Sequence, residues 1–188
     1  MSPKERLIHR RLPIEEQAIT FAELMELYLI AMFRNEGVSL ETTRRASAAA
    51  ADRFATDYPF SVKRFDTDGR TIFATLIDEE TDSVMVEDLR HGQYVFEKIT
   101  KPFFRKLEFR GAQEVSRFWP MEKRGRVVLD PTRQFGRPID AETGVPTQAI
   151  YDAGRAGKGQ DPKEVARWFN IPLSAVQAAV AFEQSLVE

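Results

Sequence analysis

Few side chains in this sequence are of the types that carry out catalysis. The 188 residues include two histidines, His9 and His91, and no cysteine. A chain without cysteine forms no disulfides and no thiolate metal sites, which fits a reducing compartment. No Ser-His-Asp arrangement and no histidine metal cluster can be assembled around these two imidazoles. We therefore predict that the protein is not an enzyme and has no catalytic residue, cofactor or metal site.

Two short motifs resemble ligand-binding loops only in part. Residues 66–69 read Asp-Thr-Asp-Gly, like the opening of a calcium loop, but the later ligands and the closing Glu are absent. This motif predicts a hairpin turn. Residues 154–159 lack the preceding strand and the Lys-Ser/Thr pair of a phosphate loop, so their three glycines predict a flexible link. Carboxylates are numerous, and a small enzyme with a carboxylate metal site remains an alternative.

Positive charge is concentrated in one stretch of a chain whose net charge is −2. Residues 98–137 contain eleven Lys or Arg against four Asp or Glu, whereas residues 78–88 contain six carboxylates and no basic side chain. The basic stretch could contact phosphates. It could equally be a solvated surface that balances the acidic segment. The small net charge by itself gives no case for bulk attraction to nucleic acid or to a membrane.

The first 19 residues predict a basic arm, in which Pro13 interrupts any regular element. Such an arm can enter a minor groove, although most short basic termini are merely solvated. The start of the chain lacks the apolar core of a signal peptide, and no run approaches the ~20 apolar residues of a membrane span. We therefore predict a cytoplasmic protein that makes no membrane contact.

Residues 20–54 predict a pair of helices. Thr20 and Glu23 have the spacing of a capping box, in which each side chain bonds the other's free backbone N–H. Gly37 suits the left-handed end of the first helix, and Ser39 can cap the second. The first helix is apolar almost all round, which predicts that it is largely buried.

Residues 61–98 predict short strands and turns. β-rich runs at residues 71–77, 84–86 and 94–96 are separated by polar segments, which is typical of a meander of three or four strands. A further strand is predicted within residues 115–119, where Pro120 closes it.

Residues 127–147 predict a β-ribbon, because short apolar runs alternate there with Pro and Gly turns. Two helices follow. Asp161 can cap the first, which Pro162 opens, and Pro172 ends it before Ser174 caps the second. The second helix is rich in alanine, which allows close packing of a neighbouring helix. The spacing of the two helices is typical of a helix-turn-helix.

The sequence thus predicts an α+β protein with an N-terminal helical pair, a small antiparallel β meander, and a C-terminal β-ribbon plus helix-turn-helix-like bundle. The predicted domains are a basic arm over residues 1–19, the helical pair and meander over residues 20–122, and the C-terminal domain over residues 123–188.

Six residues are candidates for DNA contact because cations hold phosphates and Gln can read adenine. They are Arg44, Arg45, Lys158, Lys163, Arg167 and Gln177. The last helix, however, has no Lys or Arg. It therefore also suits packing, dimerisation or contact with a protein partner.

The C-terminal third combines an apolar strand ending in Asp130-Pro131, a Gly-Arg-Pro-Ile turn at residues 136–139, a Thr-Gly-Val-Pro-Thr segment at residues 143–147, and a Glu-Val-Ala helix. In this order and spacing the segment resembles the domain of unknown function 433, which occurs in antitoxins of VapB type. Residues 37–45 also resemble a Gly-x-Ser-Leu segment of MerR-type winged-helix proteins, where it serves packing or dimerisation.

The resemblance implies an antitoxin of a type II toxin–antitoxin system. Such proteins bind and inhibit a PIN-like ribonuclease and commonly repress their own operon through a helix-turn-helix. Charge complementarity then makes Lys123, Arg124 and Arg126 candidates for contact with the toxin. An alternative is a stand-alone homodimeric helix-turn-helix transcription regulator without a toxin. In both cases the alanine-rich last helix and a symmetrical operator favour a homodimer.

Overall fold

The computed structural model describes residues 18–111, 114–156 and 161–187. The predicted basic arm (apart from its last two residues) and Lys158 lie outside these ranges. The helices are α1 (Phe21–Asn35), α2 (Leu40–Phe54), α3 (Arg64–Glu79), α4 (Ser83–Arg105), α5 (Thr147–Arg155), α6 (Pro162–Phe169) and α7 (Leu173–Ser185). The strands are β1 (Leu107–Arg110), β2 (Glu114–Phe118), β3 (Val127–Leu129) and β4 (Pro138–Asp140). The predicted α+β class, with helices at both ends and an antiparallel sheet, is confirmed.

The chain divides into two compact units. The first is Met1–Arg105 with Phe109–Val115, and the second is Lys106–Glu108 with Ser116–Glu188. The four strands follow one another in the order β1-β2-β3-β4, and the β2–β3 and β3–β4 pairs are antiparallel.

The helical pair begins as predicted. Thr20 and Glu23 form the reciprocal capping box, with the Glu23 N–H donating to Thr20 Oγ1 at 3.2 Å. Gly37 has a φ of +87°, and the Ser39 side chain accepts from the Thr42 N–H. α1 is only partly enclosed, however, because Leu27 remains 40% exposed.

The predicted strands over residues 61–98 are wrong, because α3 and α4 cover almost all of this segment. The hairpin turn predicted at residues 66–69 is also wrong, since it lies inside α3. Gly69 is there for packing: a Cβ at this position would lie 2.3 Å from Phe96 Cε2. In α4, a Cβ at Gly92 would lie 2.7 Å from Phe73 Cε1. The two glycines let an aromatic ring approach the helix backbone.

Phenylalanine dominates the core of the first unit. Phe60 and Phe65 have ring centroids 4.7 Å apart, and Phe65 meets Phe96 edge-on at 5.3 Å. Such pairs add about 0.5–1.5 kcal/mol each beyond burial. The fully buried members are Phe33, Phe60, Phe65, Phe73, Phe96 and Phe103. The β-rich runs of the sequence therefore lie in helices, because aromatic and branched side chains suit both kinds of element. These runs are only partly buried: Phe73 and Phe96 are in the core, whereas Val84 and Tyr94 are exposed.

The second unit combines a small sheet with three helices. β3 pairs with β4 through Val127–Asp140, Val128–Ile139 and Leu129–Pro138, as the predicted ribbon requires. The helices share one apolar cluster whose buried members are Ile150, Val165, Ile171, Ala175, Val176 and Ala179. In α7 the side chains of Val176, Ala179 and Phe182 are buried, and Val180 is half-buried.

Candidate nucleic-acid and partner interfaces

The turn between α6 and α7 is set by local chemistry. The Asp161 carboxylate accepts from the Lys163 N–H at 2.9 Å, which caps α6 as predicted. Asn170 ends α6 with a left-handed φ of +51°, and the Ile171 N–H donates to the Ala166 carbonyl at 3.0 Å. Ser174 is not the cap of α7, because the helix begins at Leu173 with Pro172 before it. Two helices are thus joined through residues 170–172.

α7 presents a largely polar, uncharged face to solvent. Its exposed residues recur at spacings of three and four, so they lie on one side of the helix; they are Ser174, Gln177, Ala181, Gln184 and Ser185. Glu183 lies on the other side, where it is buried and accepts a 2.5 Å hydrogen bond from the Thr147 hydroxyl. Gln side chains can bond the edge of adenine in a major groove. This face can therefore read bases, but it holds no cation for phosphates.

Cations for phosphate contact are on α6 instead. Lys163 and Arg167 are both exposed there, four residues apart on one helix. Trp168, on the same helix, is 59% exposed. Of the six DNA-contact candidates, the structure gathers Lys163, Arg167 and Gln177 in the second unit.

Arg44 and Arg45 belong to the first unit, on α2, and both are paired with carboxylates. Arg44 Nη1 lies 2.5 Å from Glu41 on the same helix, and Arg45 contacts Glu80 just after α3. The pKa of Glu80 is lowered to about 2, first by the backbone N–H of Asp82 and then by Arg45. A phosphate would have to share each guanidinium with the carboxylate that already pairs with it. DNA contact by these two residues stays a prediction.

The three candidates for toxin contact differ in whether a carboxylate of the same chain already pairs with them. Arg126 is held by Asp140, with Nε–Oδ1 at 2.8 Å and Nη2–Oδ2 at 3.2 Å, and also contacts Glu142. Lys123 lies 3.2 Å from Glu108. Arg124 is exposed, and within the described part of the chain no ion pair engages it. Arg124 is the member of this group that is best placed for an external carboxylate.

Two buried aspartates anchor the loops of this unit. Asp140 also accepts from the Thr143 N–H at 2.8 Å and the Thr143 hydroxyl at 2.7 Å. Burial acts to raise the pKa of Asp140, but these bonds and Arg126 outweigh it and leave the pKa below its ordinary value. Asp130 is held in the same way by Thr132 and Arg117, and its pKa is likewise lowered.

Sequence reasoning missed these anchors and one exposed aromatic residue. Asp130 is followed two residues later by a threonine and Asp140 three residues later, spacings at which an Asx side chain accepts from the local backbone N–H. These spacings could have indicated the two anchors from the sequence. Phe135 is 98% exposed and has a φ of +56°, which no sequence pattern indicates for a phenylalanine.

Two absences hold for residues 18–111, 114–156 and 161–187. No cluster of three or more His, Asp or Glu side chains there has the geometry to hold a metal ion. No helix among these residues is both long and apolar enough to cross a bilayer.

No protein-family model matches the chain. The sequence is similar to a Mycobacterium tuberculosis protein described as "Putative antitoxin VapB45", with 29% identity over 157 residues. The match covers 79% of this chain but only 62% of that protein, so the chain spans less than two thirds of its relative. This similarity supports a relationship to an antitoxin family. It confirms neither the domain of unknown function 433 nor the MerR-like segment, and both stay predictions.

The fold is shared with a solved structure. The crystal structure of Rv2018 from Mycobacterium tuberculosis superimposes with a TM-score of 0.73, covering 89% of this chain and 81% of that chain. At 22% identity the likeness is one of fold.

Proposed function

We propose that this chain is the antitoxin of a type II toxin–antitoxin system and inhibits a PIN-like ribonuclease by direct binding. The observation that carries the proposal is the 29% identity to a protein described as an antitoxin, over 79% of this chain. An exposed Arg124 beside Lys123 supports it, because the metal site of such a ribonuclease is acidic.

Inhibition by the purified proteins tests the proposal. The full chain is titrated into the PIN-like ribonuclease encoded next to it, and cleavage of a labelled RNA is followed. We expect inhibition that is complete at a fixed molar ratio. Arg124→Glu should weaken binding about tenfold or more, since it places like charge against the acidic site. Lys101→Glu, an exposed reversal on α4, is the matched control. Undiminished cleavage at excess wild-type chain would refute the proposal.

We also propose that α6 and α7 bind operator DNA. The polar face of α7 and the exposed cations of α6 support this role, with Gln177 reading a base and Lys163 and Arg167 holding phosphates. DNA binding without a ribonuclease partner would favour the second candidate, a stand-alone homodimeric transcription regulator. In either case we propose that the protein is cytoplasmic and forms a homodimer. Sedimentation of the purified protein tests the oligomeric state.

Salt dependence separates the roles of these side chains. Lys163→Ala and Arg167→Ala should each weaken binding on all sequences and reduce the salt slope by about 1. Gln177→Ala should relax the preference at one base pair and leave the slope unchanged. Gln148→Ala, an exposed change on α5, is the control. Arg44→Ala and Arg45→Ala test the candidates of the first unit in the same assay. A wild-type affinity that does not change with salt would argue against DNA binding.

A further inference from the structure

Phe135 combines full exposure with a strained backbone. Its side chain is 98% exposed, and its φ of +56° lies between those of Gln134 at +47° and Gly136 at +77°. A single exposed apolar residue needs no explanation. A phenylalanine held in the left-handed region does, because the Cβ has a steric cost there that glycine would avoid. Strain of this kind is concentrated at functional sites.

The loop that carries Phe135 is braced at its start. The Asp130 carboxylate accepts from the Thr132 N–H at 2.9 Å and the Thr132 hydroxyl at 2.6 Å. Its second oxygen accepts from Arg117 Nε at 2.8 Å. These bonds fix the backbone that enters the loop, since Asp130 is itself buried.

The loop is also braced on both sides of Phe135. Arg133 Nη1 donates to the Ala141 carbonyl at 2.8 Å, beyond β4. The Gly136 N–H bonds the Arg133 carbonyl at 3.0 Å, and the Arg137 N–H bonds the Gln134 carbonyl at 3.1 Å. The ring is therefore displayed by a preformed loop. A preformed contact loses little conformational entropy on binding.

Positively charged side chains flank Phe135 in the sequence. Residues 131–137 contain Arg133 and Arg137 and no carboxylate, and Arg137 is exposed. An apolar pocket bordered by carboxylates complements a ring with cations beside it. Aromatic residues that fill such pockets carry much of the energy of protein interfaces.

We infer that residues 133–137 form a preformed contact for an acidic protein partner, in which Phe135 enters an apolar pocket and Arg137 meets carboxylates at its rim. This inference rests on the proposed function, and the ribonuclease encoded beside the chain is its occupant.

The test compares Phe135→Asn with wild type in binding to that purified ribonuclease, using the full chain. Asn tolerates a positive φ, so the loop is retained while the ring is lost. We expect the Kd to rise about 30-fold or more, while the thermal midpoint stays the same or rises. Phe135→Tyr should keep the affinity within about fivefold, because it preserves the ring. Tyr94→Asn, which removes an 82% exposed ring on α4, is the control.

Arg137→Glu tests the charged rim in the same assay. It should slow association and reverse the sign of its salt dependence, without changing the thermal midpoint.

Four outcomes would overturn the inference. Wild-type affinity of Phe135→Asn for the ribonuclease would show that the ring of Phe135 does not contribute to binding. Loss of operator binding with unchanged ribonuclease binding would assign the loop to DNA, and a changed oligomeric state of the isolated chain would assign it to a second copy. No binding by the wild type would refute the proposed function, and with it this inference. The first three leave the proposed function intact.

Discussion

Aspartate and glycine, which favour turns, have different structural roles in the two units. In the second unit Asp130, Asp140 and Gly144 form real turns: the aspartates accept local backbone bonds and Gly144 has a φ of +76°. In the first unit Asp66 and Gly69 lie inside α3. A glycine in a polar segment can therefore provide a positive φ, as Gly144 does, or allow a side chain to approach the helix backbone, as Gly69 does. The local sequence does not distinguish these two roles.

The two units also bury carboxylates differently. Asp140 is ionised and paired with Arg126. Glu26, in α1, is buried and accepts from the Ser61 N–H at 2.7 Å and the Ser61 hydroxyl at 2.8 Å. Burial raises the pKa of Glu26 from 4.5 to about 8, despite these bonds. Acid should therefore act on the two units in opposite directions.

The largest expected effect is the loss of the Asp140 anchor. Asp140→Ala leaves Arg126 and the Thr143 N–H without their buried acceptor, so we expect a destabilisation of about 3 kcal/mol. Urea unfolding of the full chain measures it. Glu97→Ala, which breaks the exposed Arg70–Glu97 pair on α3 and α4, is the control and should cost less than about 0.5 kcal/mol. Equal losses of unfolding free energy in the two variants would contradict the expectation that the buried Asp140 stabilises the fold more than the exposed ion pair.

Glu26 should make the first unit less stable as pH rises. Its folded pKa of about 8 is above the unfolded value of 4.5. Its contribution is thus fully present below about pH 4.5 and is lost as pH rises towards 8. We expect the free energy of unfolding to fall by about 2 kcal/mol between about pH 5 and pH 7. Urea unfolding across this range measures the slope, which Glu26→Gln should flatten. An identical slope in the variant would refute the assignment.

Asp130 and Asp140 should respond to acid in the opposite sense. Their folded pKa values are below the ordinary 3.8, so the stability they provide is present above that value and is lost as pH falls through the folded pKa. Circular dichroism during acid titration should show a loss of stability below about pH 4. Asp130→Asn should reduce that loss of stability. If the loss is the same in Asp130→Asn as in the wild type, the ionised Asp130 does not contribute to it.

Gly69→Ala tests whether that glycine serves packing. Helix propensity alone favours Ala by about 1 kcal/mol, but the new Cβ would meet the Phe96 ring. We expect a net destabilisation of about 1–2 kcal/mol by urea unfolding.

Gly154→Ala on α5 is the matched control for this change. Nothing lies within 4 Å of a Cβ there, so the propensity term should act alone and stabilise the chain by up to about 1 kcal/mol. Stabilisation by both substitutions would mean that close approach does not explain Gly69.

Most of the predicted helix caps are confirmed, although the Ser174 cap is not. The Thr20–Glu23 box, the Gly37 and Ser39 caps and the Asp161–Pro162 start of α6 are short-range hydrogen bonds or steric limits, and all are present. The β3–β4 ribbon was also predicted, because Pro and Gly leave few alternatives.

Tertiary structure alone decided the rest. α3 and α4 are helices because their packing forms an aromatic core with close approaches at Gly69 and Gly92, whereas apolar runs by themselves fit strands as well. The left-handed Phe135 depends on braces from Arg133 and Asp130. The pairing of Arg45 with Glu80 joins residues that are 35 positions apart in sequence. Contacts at such separations are set by the packing of whole elements, which no local pattern encodes.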